Sequence, residues 1–272
     1  MKVAAVQFAP VFADVEQNTQ TVIDFIARLA ESGVRLVVFP EACLTGYCFD
    51  SAEEAAAVAI SRGSDALGSI ANACVESACH AIVGYAEKEG DLLYNAAAFC
   101  GPEGVLGHYR KTHIPFLGLD RFVVPGSDLP IFEVDGARVA IAICYDVRVP
   151  ELSRCYALSG ADIICVITNW PESAEASSDI MCPARAMENH VFVIAADRVG
   201  EEKGYRFIGR SKIIDPTGKV MASADHADEA VIVAELDAAL ARDKTIIKQA
   251  GKYELPLFES RQPGLYGRIM DK

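Results

Sequence analysis

Two stretches of the chain repeat one pattern, and that repetition constrains the fold more than any other feature. "VAAVQFAP", an intervening helix and "SGVRLVVFPEA" are echoed by "VAIAICYD", a helix and "SGADIICVITNWP". Each copy reads strand, helix, strand. In the first, Val22, Ile26 and Leu29 fall on one helical face, and Gly33 stands where a left-handed C-terminal cap is wanted. In the second, Pro150 suits the first helical turn and Gly160 the end. The echo predicts two related β-α-β units placed back to back.

Between the copies, "AIVGYAE", "LLYNAAAFC" and "VLGHYRKTHI" are short runs separated by Glu89-Gly90 and by Gly101 to Gly104, which is hairpin punctuation and predicts a meander. Asp135-Gly136 predicts a tight turn into the strand that carries Cys144, and Asp215 to Gly218 turns "FIGRSKII" into "KVMASA". Further helices are expected at Ser51 to Ile60, where Ser51 and Glu54 form a capping-box pattern, at about Asp65 to Cys79, and at about Asp179 to Asn189. No linker, low-complexity segment or charge block divides the chain. The expectation is one α+β domain over residues 1–272, with two mixed sheets face to face and helices outside.

With 272 residues, 51% hydrophobic and 23% charged, the chain can bury a large core. Its net charge of −13, without a lysine or arginine cluster, argues against nucleic acid or an anionic membrane and for a small-molecule substrate. No apolar run approaches the roughly 20 residues that span a bilayer, and Pro10 and Asp14 interrupt the apolar start. The nine cysteines are odd in number and several lie in apolar contexts such as "SACHAIV" and "IICVI". That usage suits a reducing compartment, hence the cytoplasm. With no C-x-x-C pair and the histidines apart from the cysteines, no metal site is expected.

Three polar residues stand where strands run out: Glu41 after "RLVVFP", Lys111 after "LGHYR" and Cys144 after "RVAIAI". Strand ends are where a rigid scaffold presents reactive groups to a cleft. Singly, Glu41 and Lys111 read as solvated loop residues and Cys144 as a small apolar filler. Together they read differently. A thiol nucleophile needs a proton acceptor, and the oxyanion it creates needs a positive charge or hydrogen-bond donors. No histidine is near Cys144 in sequence, although a partner could still meet it in space.

"VVFPEACLTGY", "YRKTHIP" and "AICYDVRVPE" resemble, in the same order, the three signature segments of the nitrilase (carbon-nitrogen hydrolase) superfamily. The resemblance extends through "AAVQFAP", "TNWP", "RAMENHVFV", "FIGRSKIIDPTGKV" and "RQPGLYG", nearly the whole chain. It implies a four-layer α-β-β-α sandwich that pairs into a homodimer or larger homo-oligomer, with a tail at about 250–272 contributing. It also implies Glu41 as general base, Lys111 as catalytic lysine and Cys144 as nucleophile, with the backbone N–H of Tyr145 joining Lys111 at the oxyanion. Hydrolysis of a small amide or N-carbamoyl compound through a cysteine thioester follows, with no cofactor required. Cys144-Tyr145-Asp146 is similar to the amidase and carbamoylase branches, whereas true nitrilases typically have Trp-Glu after the nucleophile. Nitrile hydrolysis by the same residues, or a retired binding or assembly protein, are the alternatives.

Two positions depart from the family pattern. Asp120 stands about where many members have a second glutamate; it can fill that place or pair with Arg121 at the surface. Asp197 replaces a more usual asparagine, exchanging a donor and acceptor for an acceptor-only carboxylate. Tyr47, Asn169 and Trp170 are candidate substrate contacts, with Trp170 equally a packing residue. Asp146 is expected to cap the helix that Pro150 begins. His113 is expected to pack rather than react, and Glu188 to be structural.

Overall fold

A computed structural model describes residues 1–224 and 227–271. The first half runs β1 (Lys2–Gln7), α1 (Val15–Glu31), β2 (Leu36–Val38), α2 (Ala52–Val58), α3 (Asp65–Ser77), β3 (His80–Glu89), β4 (Leu92–Gly101) and β5 (Gly104–Arg110). Next come β6 (Ile131–Val134), β7 (Ala137–Ile143), α4 (Pro150–Leu158), β8 (Ile163–Thr168), α5 (Cys182–Asn189) and β9 (Phe192–Asp197). The chain ends with a small hairpin, β10 (Glu201–Glu202) and β11 (Tyr205–Arg206), then β12 (Lys212–Ile214), β13 (Val220–Ser223), β14 (Ala230–Glu235), α6 (Ala239–Arg242) and a second hairpin, β15 (Thr245–Gln249) and β16 (Tyr253–Pro256).

The repeated unit becomes the parallel centre of each of two six-stranded sheets. One has the order β14-β1-β2-β3-β4-β5, the other β13-β12-β9-β8-β7-β6. β1, β2 and β3 are parallel, as are β7, β8 and β9, while the flanking strands pair antiparallel. Two-residue alternation decides which core each side chain joins. Val3, Ala5, Leu36 and Val38 meet the second sheet, whereas Ala4, Val6 and Val37 pack beneath Val22, Ile26 and Leu29 of α1 and Leu67 and Ile70 of α3. Burying each large aliphatic side chain contributes roughly 1.5–3 kcal/mol. Leu152 and Tyr156 of α4 and Cys182 and Ala186 of α5 cover the other outer face. The layers are therefore α-β-β-α, and β8, covered on both sides, is buried throughout.

Local chemistry sets the element ends. Gly33 (φ +81°) and Gly160 (φ +89°) take the left-handed conformation expected of them, and Pro150 opens α4. Asp135 and Gly136 both have positive φ, as a type I′ hairpin turn requires, which pins β6 against β7. Ser51 caps α2 by accepting from the Glu54 N–H, but Glu54 Oε2 accepts from the N–H of Asp50 rather than Ser51. α2 ends at Val58, short of the expected Ile60, because Ile60 leaves to bridge Glu87 of β3. The expected helix at 179–189 begins instead as a π turn over Ser177–Met181, where the Cys182 N–H reaches back to the Ser177 carbonyl. Pro183 has no N–H with which to continue an ordinary ladder through that turn.

The nine cysteines are unpaired and eight of them are buried; Cys155 on α4 is exposed. No helix among the described residues is long and apolar enough to cross a membrane. In the tail, two short 3-10 turns follow β16 (Pro263–Leu265 and Gly267–Met270), with Leu265, Ile269 and Met270 exposed. Position 272 of the expected tail contact lies outside the described residues.

Candidate active site

Both parallel triplets deliver their strand ends to one buried cluster. Beyond β2, the Phe39 N–H still bonds to the Ile82 carbonyl, and the chain then turns so that Glu41 sits over β3. That approach depends on Gly84: a Cβ there would stand 2.4 Å from the Ala42 nitrogen and 2.6 Å from the Pro40 carbonyl oxygen. Lys111 follows β5, and its N–H extends the sheet by bonding to the Asn95 carbonyl at 2.8 Å. Asp120 lies in a 3-10 turn, Gly118–Arg121, packed against Tyr47. At Gly118 (φ +49°) a Cβ would stand 2.5 Å from the Tyr47 ring.

These segments converge through short hydrogen bonds. Lys111 Nζ donates to Glu41 Oε1 at 2.8 Å and to Asp120 Oδ2 at 2.6 Å, with all three side chains buried. Asn95 Nδ2 donates to Glu41 Oε1 at 2.7 Å and to Asp120 Oδ1 at 2.9 Å. Tyr47 completes the set, its hydroxyl donating to Asp120 Oδ2 at 2.8 Å. Asp120 thus faces inward; Arg121 instead donates to the Asp50 carbonyl and lies over the Phe122 ring. Glu41 Oε2 has no partner among the described residues, so one oxygen of this carboxylate is open to take a proton.

Electrostatics follow from two carboxylates sharing one ammonium in a dry place. Burial pulls Lys111 down, but Asp120 and Glu41 outweigh it and hold the ammonium charged. Burial and the Asp120 charge raise Glu41 above the usual carboxylate range, against the pull of Lys111 and Asn95. A raised Glu41 is a stronger base than a solvated glutamate.

Cys144 is placed by the end of β7. The strand stops at Ile143, and Cys144 starts a 3-10 turn (Cys144–Arg148) with φ +49°, a left-handed conformation that costs a non-glycine residue about 1–3 kcal/mol. Its thiol is pushed up by burial and by Glu41, while Lys111, the Thr168 hydroxyl and the Asn169 N–H favour the thiolate. Inert buried cysteines such as Cys43 and Cys182 are also pushed up, to about 12, so acidity does not single Cys144 out. What distinguishes it is the joint influence of a carboxylate and an ammonium on its sulfur, together with a strained turn.

The remaining expected contacts lie nearby in different settings. Tyr47 is buried and its hydroxyl is committed to Asp120 and the Leu117 carbonyl. Asn169 is buried with neither side-chain atom partnered among the described residues. Trp170 is buried in the hydrophobic core, and its backbone N–H donates to Asp197 Oδ1 at 2.9 Å. Tyr145 is 39% exposed, its backbone following Cys144 directly. Asp197 is fully buried; burial lifts its carboxyl well above the usual range and favours the protonated form, which regains the donor an ionised carboxylate lacks. Asp146 does not cap α4: Val149 is the N-cap and has no side-chain bond, while the Asp146 carboxylate turns back to Ile143 and across to His113.

Three contributors escaped sequence reasoning. Asn95 signalled itself only as the lone polar residue within "LLYNAAAFC". Gly84 gave no sign beyond being a glycine in a strand, which marks close backbone approach. Glu202 lies far along the chain, yet its Oε1 accepts from the Tyr47 and Cys48 N–H groups (2.8 and 2.5 Å) and its Oε2 pairs with buried Arg198 at 2.5 Å.

Comparison with known proteins finds relatives along most of the chain. A family model described as carbon-nitrogen hydrolase matches residues 2–244. A nitrilase from Pyrococcus abyssi is 38% identical over 251 residues, covering 90% of this chain and 93% of the relative. An (R)-stereoselective amidase from a Pseudomonas species is 34% identical over 241 residues, covering 87% and 85%. Among solved structures, a variant of the amidase from Nesterenkonia sp. AN1, showing the result of Michael addition of acrylamide at its active-site cysteine, superposes with a TM-score of 0.77 at 25% identity, covering 90% of this chain and 96% of that one.

Proposed function

The chain belongs to the carbon-nitrogen hydrolase family, and from that premise we propose that it hydrolyses the C–N bond of a small linear amide or N-carbamoyl compound through a thioester on Cys144. One observation carries the reading: Lys111 Nζ is fixed between Glu41 and Asp120, at 2.8 and 2.6 Å, beside a cysteine held at φ +49°. Glu41 Oε2 accepts the thiol proton as sulfur attacks the carbonyl carbon. Lys111 and the Tyr145 N–H stabilise the oxyanion. Glu41 returns the proton to nitrogen, the C–N bond breaks, and ammonia or an amine leaves. Glu41 then takes a proton from water, which attacks the thioester carbon; the C–S bond breaks, releasing the acid and restoring the thiol. Asp120, tied to Asn95 and Tyr47, holds Lys111 in line.

The burial of every member of the cluster supports a small substrate. Tyr145-Asp146 after the nucleophile and the amidase relative support amides, and the nitrilase relative makes nitriles the natural counter-test. The same reading has a single domain, located in the cytoplasm, which the unpaired cysteines support. It also has a homodimer formed through α4, α5 and the tail, supported by the exposed Leu158, Met187, Leu265 and Ile269. The test incubates wild type and Cys144→Ala with primary amides, N-carbamoyl amines and nitriles while ammonia is measured and intact mass is recorded. Turnover with an acyl adduct on Cys144 is expected; undiminished turnover by folded Cys144→Ala would sink the proposal.

A further inference from the structure

We infer that Asp146 is a positioning residue that clamps the turn carrying Cys144 to the loop carrying Lys111, an inference that rests on the roles given to those two residues above. Asp146 is fully buried two positions after Cys144. Its Oδ2 accepts from the Ile143 N–H at 2.9 Å, closing the turn on the near side of the nucleophile, and its carbonyl accepts from Val149 N–H at 3.1 Å on the far side. The same carboxylate reaches the other sheet. Oδ2 accepts from the Tyr109 hydroxyl at 2.7 Å; Oδ1 accepts from the His113 N–H at 3.0 Å and the Thr112 hydroxyl at 3.1 Å, with His113 Nδ1 at 2.9 Å.

Tyr109 and His113 stand two residues to either side of Lys111. One carboxylate therefore spans the nucleophile's turn and both flanks of the lysine, two catalytic segments that arrive from different sheets. The residue type is dictated by the donors. An ionised carboxylate offers about four lone-pair sites and no proton, which suits donors arriving at both oxygens. An asparagine would turn an N–H₂ donor towards one of those sets, losing acceptor capacity where it is needed. The turn also holds Cys144 in a left-handed conformation that it would relax without such closure. Releasing the clamp lets sulfur and ammonium drift relative to one another, and a displacement of about 1 Å at a reacting centre can lower turnover about 100-fold.

The experiment compares wild type, Asp146→Asn and Tyr109→Phe by thermal melting, by kcat and KM on a small primary amide, and by the rate at which iodoacetamide alkylates Cys144, read from the mass of its peptide. Tyr109→Phe removes one cross-sheet bond and leaves the Ile143 closure intact. Well below their melting temperatures, Asp146→Asn should lose about 100-fold in kcat and Tyr109→Phe less, with KM within about two-fold and Cys144 alkylation changed in both. In the double variant the losses should fall short of additive, because both changes loosen the same clamp. Folded Asp146→Asn with wild-type kcat and alkylation, or with only KM raised, would overturn the inference. If Asp146→Asn does not fold, wild-type kcat and alkylation in Tyr109→Phe would overturn it. Alkylation needs no substrate, so it judges the clamp even where turnover by Cys144→Ala has sunk the proposed function.

Discussion

Replacing Asp197 by asparagine should make the protein's stability less dependent on pH, in a direction the site dictates. Asp197 ends β9, fully buried; Oδ1 accepts from the Trp170 and Arg198 N–H groups at 2.9 and 3.0 Å, and Oδ2 has no partner among the described residues. Burial raises its pKa well above the ordinary value; the two N–H groups and Arg198 pull the other way, and Glu41 adds to the rise. In the unfolded chain an aspartate titrates at about 3.9. Above that pH the unfolded state ionises while the fold keeps its proton. The stability supplied by that proton is complete below the unfolded pKa and is lost as pH rises towards the folded one. Inside this window the loss is about 1.4 kcal/mol per pH unit, the value of one proton bound differently in the two states. An asparagine in its place does not titrate. The stability of Asp197→Asn relative to wild type should therefore climb by about 2.7 kcal/mol over two pH units of the window, or roughly 5–10 °C in melting temperature. Urea unfolding at pH 5, 6, 7 and 8 measures it. A fixed offset between the two proteins at every pH would show that Asp197 ionises normally in the fold, and would refute the reasoning.

Further outcomes follow from the same geometry. Lys111→Ala should lose about 100- to 1,000-fold in kcat, since it removes the oxyanion donor proposed above. It should also destabilise by about 3–5 kcal/mol, because two buried carboxylates lose their cation; stopped assays and a urea melt check both. Asp120→Asn removes a charge that raises Glu41, so the acid limb of the pH profile of kcat/KM should move to lower pH; an unmoved limb would mean that Asp120 does not act on Glu41. Gly84→Ala drives a Cβ into the backbone beneath Glu41 and should cost about 1–3 kcal/mol of stability together with most of the activity. A melting temperature and kcat equal to wild type would contradict that packing argument.

Much of the fold was legible because period-2 and period-3.6 patterns report how a chain meets water. Val3, Ala5 and their neighbours reveal strands, Val22, Ile26 and Leu29 reveal a helix face, and Asp135-Gly136 reveals a turn, each within a few residues. The strand-helix-strand echo then implied two sheets back to back, and Glu41, Lys111 and Cys144 stood out as polar residues at strand ends. Less legible were the roles of side chains whose partners lie far along the chain. Asp120 could be read as a surface ion pair until the Gly118 turn packed on Tyr47 and swung it to Lys111. Asp146 looked like a helix cap because Pro150 follows it, yet its donors come from Ile143 and from the lysine loop.

The division has a physical cause. Local preferences and the alternation of apolar residues act over a few positions, so the sequence by itself determined the strands, the helices, their burial faces and the presence of a cysteine, a carboxylate and a lysine at strand ends. Which polar atoms meet depends on the register of parallel strands and on backbones drawing close at Gly84, and Glu41 and Lys111 are 70 residues apart. Burial then changes what those groups are chemically, raising Glu41 and Asp197 and keeping Lys111 charged. Only the tertiary structure could decide that, because desolvation belongs to the packed interior and not to any residue in the chain.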